Sequence, residues 1–173
     1  MGPIIPVPLI LKVDPKGESF MSQISYKSEK LAKKKVLLYN DTGAAITIRG
    51  GYAVCYAYDA TDISQAYLVE RPATANLLWY AGQITEEYDG MGVADGAYRS
   101  VEIYIPTKYG QVVPVWITED HSANTALLEP TDGSWALTEG TTTKVARTVQ
   151  LVNRGTTNGT ALARLYGISD PLA

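Results

Sequence analysis

The chain is short of the residues that build most catalytic and metal centres. It has one cysteine, Cys55, and one histidine, His121. A lone thiol excludes an internal disulfide, and one Cys with one His excludes a zinc centre. Cys55 lies inside the apolar run Tyr52–Tyr58, where a small buried hydrophobe is expected and thiolate formation is disfavoured. His121 sits in Thr118-Glu-Asp-His-Ser-Ala with no Gly-x-Ser-x-Gly elbow elsewhere, so it reads as a surface-loop histidine. No run approaches transmembrane length. The N-terminus has no charged region or Ala-x-Ala cleavage site, and Gly2 has no Ser or Thr at position 6. A soluble chain made in a reducing compartment is expected, with no catalytic residue, metal or cofactor.

Charge is also sparse, at 19% of residues with a net of −3, and gives no reason to expect a membrane or a specific nucleic acid as partner. Its distribution is uneven. Residues 1–35 hold seven lysines against three acidic residues, and the remainder holds eight basic and fifteen acidic groups. Lys30 and Lys33–Lys35, with Tyr26 and Tyr39 nearby, make at most a salt-sensitive patch. The acidic loop Glu86, Glu87, Asp89, Asp95 lacks the Asp-x-Asp-x-Asp spacing of a calcium loop.

What is abundant is β chemistry. Twelve Tyr and three Trp stand against a single Phe, and Tyr and Trp suit half-buried strands and contact surfaces. Clusters of Gly, Asp, Asn and Thr recur between short apolar runs. The pattern predicts ten to twelve short antiparallel strands in an all-β fold, closed as a compact barrel or sandwich. Expected strands include Val36–Tyr39 returning at Ala45–Ile48, Tyr52–Tyr58, Tyr67–Glu70, Leu77–Ala81, and Ser100–Ile105 answered by Val112–Thr118. The last third adds Ala126–Leu128, Trp135–Thr138, Lys144–Val152 and Ala161–Tyr166. For Lys144–Val152 the β-branched residues favour strand over helix. No segment repeats another in sequence.

Two domains of unequal kind are expected. Residues 1–17 carry Pro3, Pro6 and Pro8 among apolar residues, so they are extended and not helical. An apolar strip of this kind needs cover. Ile4, Ile5, Val7, Leu9, Ile10 and Leu11 are its candidate contacts, either on a neighbouring subunit or as an edge strand of the chain's own sheet. Residues 18–173 form the β-rich body. There, Trp79, Tyr80, Tyr109, Trp116 and Trp135 are candidate contact aromatics, for a protein partner or as a stacking platform for sugar rings.

One catalytic motif occurs. Tyr39-Asn40-Asp41-Thr42-Gly43-Ala44 contains the Asp-Thr-Gly-Ala turn of aspartic proteases, in which two such turns share a proton. A single copy requires a dimer. Asn40 interrupts the apolar residues that normally precede the motif, and Asn-Asp-Thr-Gly is also ordinary turn chemistry.

The body, over residues 36–167, resembles the head decoration (cement) proteins of tailed bacteriophages. The resemblance runs through the Tyr39–Ile46 turn, Gly50-Gly51, Glu70-Arg-Pro-Ala-Thr-Ala-Asn-Leu77, Val145-Ala-Arg-Thr-Val-Gln and Thr160-Ala-Leu-Ala-Arg-Leu-Tyr-Gly167. It implies a non-enzymatic β protein, usually a homotrimer, on the exterior of the virion capsid. Its partner would be the major capsid protein, whose adjoining subunits it clamps.

Overall fold

A computed structural model of the chain describes residues 30–57, 67–118, 126–150 and 157–166. The expected arm and His121 lie outside these residues. The chain divides into two compact units, 1–31 and 32–173, and every described strand belongs to the second. In order they are β1 (Lys33–Tyr39), β2 (Ile46–Thr47), β3 (Ala53–Tyr56), β4 (Leu68–Glu70), β5 (Tyr80–Ile84) and β6 (Gly92–Val93). Then come β7 (Tyr98–Tyr104), β8 (Gln111–Ile117), β9 (Leu127–Pro130), β10 (Leu137–Glu139), β11 (Ala146–Thr148) and β12 (Gly159–Leu165). The fold is all-β.

The strands close into two five-stranded barrels, β1-β4-β3-β5-β7 and β10-β8-β12-β11-β9, beside a β2-β6 ribbon. A closed ring with an odd number of strands cannot alternate direction all the way round. Each barrel therefore has one parallel junction, β1 with β4 and β8 with β10, and is antiparallel elsewhere. Closure leaves no unpaired sheet edge in either barrel.

The two barrels have one and the same connectivity. Counting the strands of each barrel in chain order, the ring runs first, third, second, fourth, fifth, and the parallel junction joins first to third in both. Core pairs correspond in register as well. Val36 opposite Val101 matches Val115 opposite Ala161; Leu38 beside Val69 matches Ile117 beside Leu137; Ile84 opposite Ile103 matches Thr148 opposite Ala163. All twelve residues are buried. The two barrels therefore share one topology, which no repeat in the sequence displays.

Two expected pairings differ. Val36–Tyr39 does not form a hairpin with Ala45–Ile48: β1 takes β4 and β7 as neighbours, and β2 pairs with β6. Nor does β8 answer β7, because the Thr107–Gly110 turn passes the chain from one barrel to the other. In both cases the core-facing side chains of the strand, Val36 and Leu38 of β1 and Val113, Val115 and Ile117 of β8, are buried inside a closed ring. The expected strand at Leu77–Ala81 begins late, with a 3₁₀ turn over Leu77–Trp79. The Asn76 side chain accepts the Ala73 N–H at 2.7 Å, and its carbonyl accepts the Trp79 N–H at 2.8 Å, so the backbone bends before β5.

A tight seam joins the barrels. The Trp116 N–H donates to the Gly51 carbonyl at 2.7 Å, and the Ala53 N–H to the Trp135 carbonyl at 2.8 Å. Gly51 has φ +93°, and a Cβ there would lie 2.8 Å from the Trp116 nitrogen. Only glycine fits this approach.

Candidate functional site

The surface of this body is most distinctive where β-strands and turns carry large apolar side chains outward. Tyr67, Leu78, Trp79, Tyr98 and Tyr109 are each more than half exposed. On the outer face of β1 and β7, Tyr39 lies opposite Tyr98 and the rings stack with centroids 4.7 Å apart. Leu37, the next outward residue of β1, is also exposed. At one end of β1 the Lys34 ammonium donates to the Tyr56 hydroxyl at 3.0 Å and lies 4.7 Å from the Tyr67 ring centroid. Alternation along β1 produces this arrangement: Val36 and Leu38 fill the core while Leu37 and Tyr39 face out.

The five aromatics singled out in the sequence do not form one surface. Trp79 sits on the 3₁₀ turn beside exposed Leu78, and Tyr109 on the turn between barrels, with Lys108 Nζ 5.5 Å from its ring centroid. Tyr80 is buried and accepts a hydrogen bond from Gln83 Nε2. Trp116 and Trp135 are half-buried against Tyr52, edge-on at 5.7 Å and stacked at 5.2 Å respectively. They belong to the seam. Of the outward aromatics, Tyr67 and Tyr98 were not marked in the sequence as contact residues, and Tyr39 was expected only beside the lysine patch. Only the register of β1 and β7, which period-2 alternation does not fix, brings Tyr39 and Tyr98 together.

In the Asn-Asp-Thr-Gly turn the organising side chain is Asn40, not Asp41. Asn40 is fully buried. Its amide donates to the carbonyls of Ala44 at 2.8 Å and Val93 at 3.0 Å, and its oxygen accepts the Thr42 hydroxyl at 2.8 Å and N–H at 3.2 Å. Asp41 is exposed. The acidic residues of the 86–96 stretch serve the backbone and each other's neighbours. Asp89 accepts the Gly50 N–H and faces Arg49 at 3.8 Å, Asp95 accepts the Gly43 N–H, and Glu86 accepts the Tyr104 hydroxyl. No group of three or more metal-ligating side chains occurs among the described residues.

The one cysteine is held as a thiol. Burial pushes the Cys55 thiol up to about 12, with nearby Glu70 adding to the shift. Desolvation also raises Tyr80 and Tyr104. Glu70 is raised by desolvation and by the charge of Asp41, against a hydrogen bond from Asn76 that lowers it. Gln83 Oε1 and the Thr85 hydroxyl are buried without a hydrogen-bond partner, and nothing in the fold accounts for them. Among the described residues no helix is long and apolar enough to cross a membrane. No protein-family model matches the chain, and no curated protein matches it.

Proposed function

We propose that the protein is a virion structural protein, a non-enzymatic decoration protein that binds the outer surface of a tailed-phage capsid and clamps adjoining major capsid subunits. The observation that carries this reading is the outward set of large aromatic and aliphatic side chains mounted on closed, edge-free barrels. Such residues on a rigid frame provide contact area at low entropic cost. An edge-free body also suits dense display on a lattice, where many modest contacts add to high avidity. The capsid exterior is the proposed location, and a homotrimer the proposed state.

The test is co-sedimentation of the purified chain with expanded, emptied phage heads. Saturable binding at a fixed ratio to capsid subunits, with heads that rupture at a higher temperature, is the expected result. Deleting residues 1–17 should abolish it if that segment docks on the lattice. Heads that sediment without the protein at every ratio overturn the proposal.

A carbohydrate-binding role has less behind it. Tyr80 is buried and Trp116 and Trp135 clasp Tyr52, so of the three tryptophans only Trp79 is more than half exposed. Glycan binding lost on Trp79→Ala would move the reading to that class. A dimeric aspartic protease would depend on Asp41, and its test is peptide cleavage abolished by Asp41→Asn.

A further inference from the structure

The outer face of the second barrel carries an arrangement that a sheet does not favour for its own stability. Across β9, β11, β12 and β8 the cross-strand neighbours run Leu127, Arg147, Arg164, Val112. Ala146, Thr148, Ala163 and Leu165 are buried, so both arginines face outward. Like charges directly opposite one another destabilise a strand pair. No carboxylate offsets them among the described residues. Arg164 donates to the Gly110 carbonyl at 3.4 Å, and Arg147 makes no side-chain hydrogen bond or ion pair there. Glu129, two residues along β9 on the same face, is held by the N–H groups of Thr142 at 2.8 Å and Thr143 at 3.0 Å.

Beside this row lies an open pocket of about 400 Å³ lined by Leu127, Lys144, Val145, Ala146, Arg147 and Tyr166. Val145 and Ala146 are buried and Tyr166 is exposed. Lys144 adds a second cation to the lining and has no ion pair among the described residues. An apolar floor with a few convergent cations is the general form of a site that orients a ligand by its charge and holds it by its apolar part.

We propose that this pocket binds an acidic segment of a partner protein, seating a carboxylate between Arg147 and Lys144 and a neighbouring apolar side chain on Leu127 and Tyr166. Guanidinium binds carboxylate through paired, charge-assisted hydrogen bonds. Charge complementarity selects this occupant: the whole chain has a net charge of −3, so an unmatched cationic row stands against its background. The row is also short. Leu127 and Val112 bracket it, so it offers no track for a phosphate backbone, which needs a run of basic groups. The site does not rest on the virion reading, since any partner with an exposed acidic segment satisfies it.

The test uses the full chain, labelled with ¹⁵N, and three probes. These are a capped hexapeptide of alternating Asp and Leu, its Asn-for-Asp counterpart, and a short oligothymidylate. The Asp peptide is expected to shift amides of residues 127, 144–147 and 164–166, with an affinity that weakens as salt rises and the exposed charges are screened. Arg147→Gln should weaken it about tenfold, the scale of a lost charge-assisted hydrogen bond, and Arg147→Lys should restore part of it. Equal shifts with the Asn peptide, binding that Arg147→Gln leaves intact, or preferential binding of the oligothymidylate each overturn the proposal. A second readout needs no ligand. Relieving the Arg147–Arg164 repulsion should leave the thermal midpoint of Arg147→Gln at low salt equal to or above that of the parent. A lower midpoint would mean that Arg147 serves the fold and not a partner.

Discussion

Tyr52 lies face to face on Trp135, with 5.2 Å between ring centroids and 11° between ring planes. One ring belongs to the segment leading into the first barrel and the other to the second, so this stack couples the two. Tyr52→Leu removes it together with the edge contact to Trp116. The expected cost is about 1–2 kcal/mol, with loss of near-UV circular dichroism and unfolding that separates into two transitions. A variant that still unfolds in one step would mean that the backbone hydrogen bonds of the seam suffice to couple the barrels.

Gly51 is the backbone counterpart of that stack. A methyl group at its positive φ would meet the main chain of Val115 and Trp116, and neither can move without opening the seam. Gly51→Ala should cost about 3 kcal/mol in urea unfolding. A cost under about 1 kcal/mol would show that the approach is looser than its geometry.

The turn that carries the protease-like motif predicts a contrast between adjacent residues. Asn40→Ala strands the buried Val93 carbonyl and removes the acceptor of the Thr42 N–H, and should cost about 2 kcal/mol. Asp41→Asn changes an exposed side chain and should stay within about 0.5 kcal/mol. Denaturant titration of the pair checks both, and a large effect at Asp41 would reopen a role for its carboxylate.

Thr85 hides a hydroxyl with no partner. Valine has nearly the same shape and no polar atom, so Thr85→Val should stabilise the protein by about 1 kcal/mol. Destabilisation by calorimetry would mean that the hydroxyl has a role the fold does not reveal.

Glu70 gives a pH dependence of definite sign. Its folded-state pKa lies above the ordinary carboxylate value because of desolvation and Asp41. The folded chain therefore holds that proton more tightly, and stability present below the unfolded pKa is lost as pH rises through the folded one. Glu70→Gln keeps an acceptor for Asn76 and should be more stable than the parent at pH 7, with the gap closing near the carboxylate range. Cys55 acts the same way at high pH: stability falls between its ordinary value, 9.0, and about 12, and Cys55→Ala should flatten that slope. A gap at Glu70 that is independent of pH would remove titration as its cause.

Strand positions were largely legible, because alternation along Val36–Tyr39, Ser100–Ile105 and Val112–Thr118 states which residues face the core. Pairing was not. The first strand of each barrel closes on the fifth, across 59 or more residues of chain in the first barrel's Tyr39–Tyr98 pair, and no local signal encodes that partner. The shared topology stayed hidden because corresponding core positions hold different residues: Ile84 answers to Thr148, and Ile103 to Ala163. The outward aromatics follow the same division. Tyr39 and Tyr98 are visible in sequence as tyrosines, but only register makes them a stack. Arg147 and Arg164 likewise become a row only once β11 lies against β12.

Ring closure between first and last strands also sets an order of events during synthesis. The first barrel has all its strands only when Tyr98–Tyr104 has left the ribosome, and the second only when Gly159–Leu165 has done so. Until then each half exposes the open flank of its first strand, β1 or β8, to solvent. A nascent chain that stalls between these two points therefore carries one finished barrel and one with its seam to the other half still forming, and the unclosed second barrel is where a chaperone would find its substrate.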